Sequence, residues 1–179
     1  LRDKSFVNLD RQNWDAVLDV HLNGAYHVTR PAFIAMKQNG YGRIVMTSSA
    51  AGLYGNFGQT TYSAAKMALV GLMNTLKLEG KKYNIKVNTV APLAASRLTE
   101  DVMPPDFLDK LDPKHVTPMV LFLCSERCPV SGNIYNAGMG AFSRSAVVTG
   151  PGTVLGDGVT VPDAAAVMGS LDTIAALDG

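Results

Sequence analysis

A tyrosine, a lysine four positions after it and a serine upstream are the residues of this sequence best suited to chemistry. Tyr62 and Lys66 stand in the run Tyr-Ser-Ala-Ala-Lys, and Ser49 precedes them. Residues four apart on a helix lie on one face, so the phenol and the ammonium group can meet at one substrate. A free tyrosine has a pKa of about 10, and a neighbouring cation stabilises its phenolate. A serine hydroxyl can hold the substrate oxygen. The set predicts proton transfer at an alcohol or ketone oxygen, with Tyr62 as base or acid.

The elements that must position these side chains are two strands and a helix. The apolar run 43–47 predicts a strand buried in a parallel sheet, and the small residues of 48–59 predict a loop. A helix over 62–82, capped by a threonine just before it, and a second buried strand over 85–91 follow. Ser49 then lies just past the carboxyl end of a parallel strand, where such sheets bind ligands.

The remaining pattern completes an α/β domain. Apolar residues at helical spacing over 10–38, with Asp10 as N-cap, predict one long helix or two abutting ones, ended by Gly40. A further helix over 113–125 and a short strand over 132–138 follow. The alternation of helices and strands predicts a doubly wound parallel sheet of the Rossmann-like type, or its C-terminal half.

We expect two parts in the chain. Residues 1–140 carry the α/β pattern. Residues 141–179 are richer in turn-forming glycines and are predicted to form a C-terminal extension with a short helix that starts near 160, with proline just inside it. A short helix is also expected from Pro104.

Composition and charge exclude several functions. The net charge is +1 with no basic cluster, which argues against nucleic acid, and no apolar run is long enough for a membrane span. Three scattered histidines and the pair Cys124 and Cys128 lack metal-ligand spacing, so no metal site is expected, and the cysteines are interpreted as reduced thiols.

The order of these motifs resembles the short-chain dehydrogenases/reductases, over residues 1–140. The matching stretches are Trp14-Asp15, Val20-His21-Leu22 with Gly24, Gly42-Arg43-Ile44-Val45, Ser48-Ser49, Tyr62-Ser63-Ala64-Ala65-Lys66 and Val87-Asn88-Thr89-Val90-Ala91-Pro92.

The resemblance implies roles for particular residues. Ser49, Tyr62 and Lys66 would be catalytic, with Ser49 holding the substrate. Tyr62 and Lys66 would also contact the cofactor, and Pro92 and Ser96 would lie against its nicotinamide. The cofactor would be NAD, with NADP possible. The resemblance also implies a homodimer through the helices 10–38 and 60–82.

A narrower likeness is to the (3R)-hydroxyacyl-CoA dehydrogenase domains of the type 2 peroxisomal multifunctional enzymes and their bacterial relatives. It rests on Leu1-Arg2-Asp3-Lys4-Ser5-Phe6, Tyr54-Gly55-Asn56-Phe57-Gly58-Gln59 and Ser96-Arg97-Leu98-Thr99, among other stretches. It implies a (3R)-3-hydroxyacyl-CoA substrate, or a hydroxysteroid. The location would be peroxisomal in a eukaryote and cytoplasmic in a bacterium.

The sequence departs from the family at three points. His21 stands where many members have an asparagine that positions a proton-relay water. A histidine could orient a water too, but His21 is interpreted here as a helix residue facing the core. Leu93 follows Pro92 where glycine is common. The glycine-rich loop Thr-Gly-x-x-x-Gly-x-Gly does not occur in the sequence. Since that loop binds the cofactor pyrophosphate, little activity is expected of this polypeptide alone, and the strand 43–47 is expected to be an exposed edge.

Two other functions remain open at this point. The Tyr-x-x-x-Lys pattern with an upstream serine also serves ketoacyl reductases and sugar epimerases. A truncated homologue could instead be a non-catalytic interaction module.

Overall fold

The structure, a computed structural model, describes residues 2–95 and 109–177. The chain divides into two compact units, Leu1–Ser145 and Ala146–Gly179. The boundary predicted at residue 140 falls before this division, because Ala141–Ser145 forms a strand that pairs inside the first unit. The helix expected from Pro104 lies outside the described residues.

A four-stranded sheet forms the centre of the first unit. Its strands, in spatial order, are β1 Gly42–Thr47, β2 Ile85–Pro92, β3 Ile134–Gly138 and β4 Ala141–Ser145. The first three run parallel, and β4 is antiparallel to β3. Helices connect the parallel strands, as parallel pairing requires. The predicted α/β class with a parallel sheet is therefore confirmed, while β4 was not predicted.

The helices predicted for the first unit occur in the predicted order, and a short helix over Ala50–Tyr54 is added to them. The region 10–38, predicted as one long helix or two abutting ones, forms two α-helices joined by a π-helical segment. The predicted helix over 113–125 begins with a separate 3₁₀ turn. The bounds are α1 Arg11–Leu18, the π-helical segment Asp19–Asn23, α2 Gly24–Asn39, α3 Ala50–Tyr54, α4 Thr60–Gly80 and α5 Thr117–Cys124, with 3₁₀ turns at Phe6–Asn8, Lys81–Tyr83, Asp109–Leu111 and Pro113–His115.

Two clusters of buried side chains hold helices on opposite faces of the sheet. Val87 of β2 lies in one cluster with Leu69, Val70 and Met73 of α4. Val90, three residues along the same strand, lies in the other, against Leu123 of α5. Because successive strand residues face opposite sides, β2 is buried on both faces. Its polar residues Asn88 and Thr89 are buried as well, and each side chain donates a hydrogen bond inside the core.

Local capping chemistry sets the ends of the first helices as predicted. The Asp10 carboxylate accepts a hydrogen bond from the Asn13 N–H at 2.8 Å, which caps α1. Gly40 ends α2 with a left-handed φ of 65°. The predicted threonine cap of α4 is wrong: Gln59 is the N-cap residue, without a side-chain bond, and Thr61 is buried inside the first turn.

The second unit contains two short helices, α6 Ala164–Gly169 and α7 Leu171–Ala175. The predicted helix start near 160 is shifted. Asp163 is the N-cap, its carboxylate accepting from the Ala166 N–H at 2.8 Å, and Pro162 lies outside the helix.

Neither a membrane span nor a metal cluster occurs in the described residues. Within 2–95 and 109–177, no helix is long and apolar enough to cross a membrane. In the same ranges, histidine, cysteine and carboxylate side chains do not gather in groups of three or more that could hold a metal ion.

Candidate active site

Ser49 lies at the turn between β1 and α3. Its backbone is extended, with φ −160° and ψ 153°, and it is the N-cap of α3. The Ser49 Oγ accepts a hydrogen bond from the Ala51 N–H at 3.2 Å. This bond uses an acceptor lone pair of the hydroxyl and orients the side chain at the carboxyl end of β1. The prediction that 48–59 is a loop is wrong in part, since α3 lies inside it.

Lys66 ties α4 to the end of β1. Its Nζ donates to the carbonyl oxygen of Thr47 at 2.8 Å, and the Ser48 hydroxyl donates to the carbonyl oxygen of Lys66 at 2.8 Å. The lysine is only 9% exposed. Burial lowers the pKa of Lys66, because removing water disfavours the charged ammonium form.

Tyr62 occupies the first turn of α4, one helical turn before Lys66. The Lys66 Nζ lies 5.6 Å from the centre of the Tyr62 ring. The Tyr62 ring also meets that of His21, with 5.1 Å between the ring centres and an angle of 88° between the planes. The α-helical spacing therefore places the phenol and the ammonium group next to each other, as the sequence predicts.

A glycine makes the close approach of α3 and α4 possible. A Cβ on Gly52 would lie 2.8 Å from the Lys66 Cβ and 3.1 Å from the Lys66 carbonyl carbon. Such distances are too short for any side chain, so α3 can pack on α4 here only with glycine. The small residues of 48–59 predict a loop, and no pattern in the sequence marks the contact of Gly52 with Lys66.

A cavity of about 180 Å³ lies beside Tyr62. It is bounded by the N-terminal segment, by the helix around His21 and by the start of α4. Its lining residues are Arg2, Asp3, Lys4, Leu9, Ala16, Val17, Val20, His21, Gly58, Gln59, Thr60, Thr61 and Tyr62.

Pro92 ends β2, the strand next to β1, and stands opposite Ala137 of β3. It lines a separate cavity of about 350 Å³ whose walls are mainly apolar, with Ala94, Pro113, Val116, Thr117, Val120 and Leu121. Pro92 is therefore at the same carboxyl edge of the sheet as Ser49. Ser96, the other residue predicted to contact a nicotinamide, lies outside the described residues.

The parallel sheet, with the serine, tyrosine and lysine at its carboxyl edge, is typical of one family of oxidoreductases. The chain belongs to the short chain dehydrogenase family, whose model matches residues 1–102. That match confirms the family resemblance of the sequence motifs.

The chain is similar to particular members of this family. A short-chain type dehydrogenase/reductase of Mycobacterium tuberculosis is 49% identical over 93% of this chain and 58% of its own length. The peroxisomal multifunctional enzyme type 2 of mouse is 52% identical over 78% of this chain and 19% of its length. The solved full-length peroxisomal multifunctional enzyme type 2 of Drosophila melanogaster superposes with a TM-score of 0.88 at 39% identity, over 98% of this chain and 32% of that one. The chain thus spans between 19% and 58% of the length of these relatives.

Proposed function

We propose that this chain carries the acid–base residues of an NAD(P)-dependent oxidoreductase that interconverts a secondary alcohol and a ketone. The observation that carries the proposal is the position of the Lys66 ammonium group. It lies 5.6 Å from the centre of the Tyr62 ring and is bonded to the Thr47 carbonyl at the end of β1. A buried cation beside a phenol at the ligand-binding edge of a parallel sheet favours proton transfer by that phenol.

Each of the three polar side chains has a distinct role in this proposal. Tyr62 takes the proton of the alcohol oxygen in oxidation and returns it in reduction. Lys66 stabilises the negative charge that forms on the Tyr62 oxygen. The Ser49 hydroxyl, whose lone pair is used by the Ala51 N–H, donates its proton to the substrate oxygen and stabilises charge that develops there.

The residues present fit the nicotinamide end of a cofactor. Lys66 uses one of its three ammonium protons on the Thr47 carbonyl, so two donors remain for ribose hydroxyls. Pro92 and the apolar walls of its cavity offer a surface for a flat ring. The nicotinamide, when bound, accepts or supplies the hydride. We propose NAD as the cofactor, with NADP as the alternative.

The proposed substrate is a (3R)-3-hydroxyacyl-CoA, with a hydroxysteroid as the second candidate. The resemblance to the dehydrogenase domains of type 2 peroxisomal multifunctional enzymes supports this choice, as do the mouse and fly relatives. The same relatives support a peroxisomal location if the protein is eukaryotic. If it is bacterial, we propose a cytoplasmic location.

The decisive assay uses the full gene product that contains this chain, because the printed sequence lacks the glycine-rich loop. It is incubated with NAD⁺ or NADP⁺ and with a (3R)- or (3S)-3-hydroxyacyl-CoA or a 17β-hydroxysteroid, and reduced cofactor is followed by absorbance. We expect turnover with the (3R)-acyl-CoA and NAD⁺. Absence of turnover with every pair would refute the proposal, and turnover with the steroid alone would move it to the second substrate.

We also propose that the protein is a homodimer through α2 and α4. Tyr26 and Ile34 of α2 are 50% and 44% exposed. They line an apolar groove of about 310 Å³ together with Phe33, Leu72 and Leu76, and Arg30 and Glu79 also line it. Since a two-fold interface presents the same patch from both subunits, Arg30 of one copy can meet Glu79 of the other, which makes the patch self-complementary.

Ile34→Glu tests the dimer. A carboxylate in the groove would lose its water on association and would compete with Glu79 for Arg30, so we expect the variant to run as a monomer in light-scattering measurements where the parent is a dimer. Val28→Glu is the matched control, since Val28 is on the same helix, is 73% exposed and does not line the groove. A parent protein that is monomeric, or an Ile34→Glu dimer of unchanged stability, would contradict this interface.

A further inference from the structure

The helix that carries His21 changes its hydrogen-bond pattern around that residue. Between α1 and α2, the residues Asp19–Asn23 form a π-helical segment, and the Gly24 N–H donates to the Asp19 carbonyl, five positions back. Such segments are rare, are confined to about one turn and recur at functional sites. His21 stands at the middle of this one, so the altered turn determines where its side chain points.

The side chain of His21 points at Tyr62. The two rings meet edge to face, with 5.1 Å between their centres and 88° between their planes, and this is an arrangement that aromatic pairs prefer. Tyr62 thus has two neighbours, the His21 ring and the Lys66 Nζ, which lies 5.6 Å from its ring centre. The expectation that His21 mainly faces the core is not what the structure shows, because His21 lines the cavity beside Tyr62.

The surroundings favour the uncharged form of the His21 imidazole. Its pKa is lowered, first because the ring is partly buried and second because the Lys66 charge opposes another cation. The other charged groups that line the cavity are Arg2, Asp3 and Lys4, all on the N-terminal segment. A neutral ring can pack against the phenol without adding a second positive charge next to Lys66.

We infer that His21 is a positioning residue for the proposed reaction: its ring holds the Tyr62 ring at the orientation in which the phenol oxygen shares the Lys66 charge. The inference rests on the proposed dehydrogenase function and adds to it a specific task for a side chain that does not touch the substrate. Orientation contributes strongly to rates, because small misplacements of a reacting group reduce turnover while binding of the substrate is kept.

The test compares three variants of the full gene product in the substrate assay described above. His21→Ala removes the ring, and His21→Phe keeps an aromatic edge. Leu22→Ala alters the next residue of the π-helical segment, whose side chain packs against the core cluster.

We expect His21→Ala to lower kcat about tenfold with KM changed less than about twofold. The acid limb of its kcat–pH profile should move to higher pH, because the phenol oxygen shares less of the Lys66 charge. His21→Phe should restore most of kcat, and Leu22→Ala should lower the melting temperature but not kcat.

A second measurement follows Tyr62 without relying on turnover. In protein labelled with ¹³C at tyrosine rings, the Tyr62 signal is assigned by its loss in Tyr62→Phe. We expect this signal to move or broaden in His21→Ala, and to stay near its parental position in His21→Phe and Leu22→Ala.

The kinetic assay and the Tyr62 signal together distinguish a failure of the dehydrogenase proposal from a failure of the inference about His21. A parent without turnover whose Tyr62 signal responds as described would reject the dehydrogenase proposal and keep the positioning contact. An active parent in which His21→Ala leaves kcat and its pH profile unchanged, or in which Leu22→Ala lowers kcat as much, would overturn the inference about His21.

Discussion

Replacing Tyr62 by Phe in the full gene product is expected to lower kcat by a factor of about 10²–10⁴, the range that a positioned general acid or base contributes. The change removes one oxygen atom and keeps the ring, so the edge-to-face contact with His21 and the packing of the first turn of α4 are preserved. The melting temperature should therefore change little. Steady-state kinetics with the (3R)-3-hydroxyacyl-CoA, together with thermal unfolding, gives both quantities.

Tyr54→Phe provides the matched control for this loss. Tyr54 ends α3, is 72% exposed and bonds the Ser145 hydroxyl at 2.9 Å, away from the contacts that hold Tyr62. Loss of that hydroxyl should leave kcat within a factor of about two, since exposed hydrogen bonds contribute little. If Tyr62→Phe keeps parental turnover, Tyr62 is not the acid–base group, and the assignment made here is wrong.

Replacing Lys66 by Met should reduce kcat by a similar factor, about 10²–10⁴, because the charge that makes the phenol effective is removed while a side chain of similar length remains. The KM for the nicotinamide cofactor should also rise, since two ammonium donors proposed for its ribose are lost. Lys77→Met, at a partly exposed position of the same helix where Nζ bonds the Asn74 side chain, is the control and should change neither quantity.

Lys66→Met also tests whether Lys66 is buried, through the pH dependence of the unfolding free energy. Because the folded pKa of Lys66 lies below its ordinary value of 10.5, the unfolded chain binds more protons than the folded chain between those two values. Burying the charged ammonium group lowers the unfolding free energy. This loss of stability is fully present below the folded pKa of Lys66 and disappears as pH rises towards 10.5. The unfolding free energy of the parent should therefore rise relative to Lys66→Met over this alkaline window, as measured by denaturant titration. An equal pH dependence of the two proteins would show that the ammonium group is not buried.

Much of the candidate site follows from local rules that act along the chain. The spacing of Tyr62 and Lys66 places both on one face of α4, because a helix turn brings positions four apart together. The ends of α1 and α2 follow from Asp10 and Gly40, whose capping chemistry involves only near neighbours.

Other features depend on contacts between distant parts of the chain. The polar and largely exposed strand β4 lacks the apolar alternation that predicts a strand, and it exists because Met139 and Gly140, both with positive φ, turn it back onto β3. The π-helical segment around His21 leaves no mark in the apolar periodicity, because it shifts one set of backbone bonds without changing which residues are apolar.

From its sequence alone, then, this protein shows its family, its α/β class and the three residues proposed for catalysis, since these depend on residue type and short spacing. The tertiary structure alone decided that the Lys66 ammonium group binds the Thr47 carbonyl, that Gly52 lets α3 pack against the Lys66 backbone of α4, and that His21 meets Tyr62. Each of those contacts joins residues far apart in sequence, so it forms only when the sheet and its helices have packed.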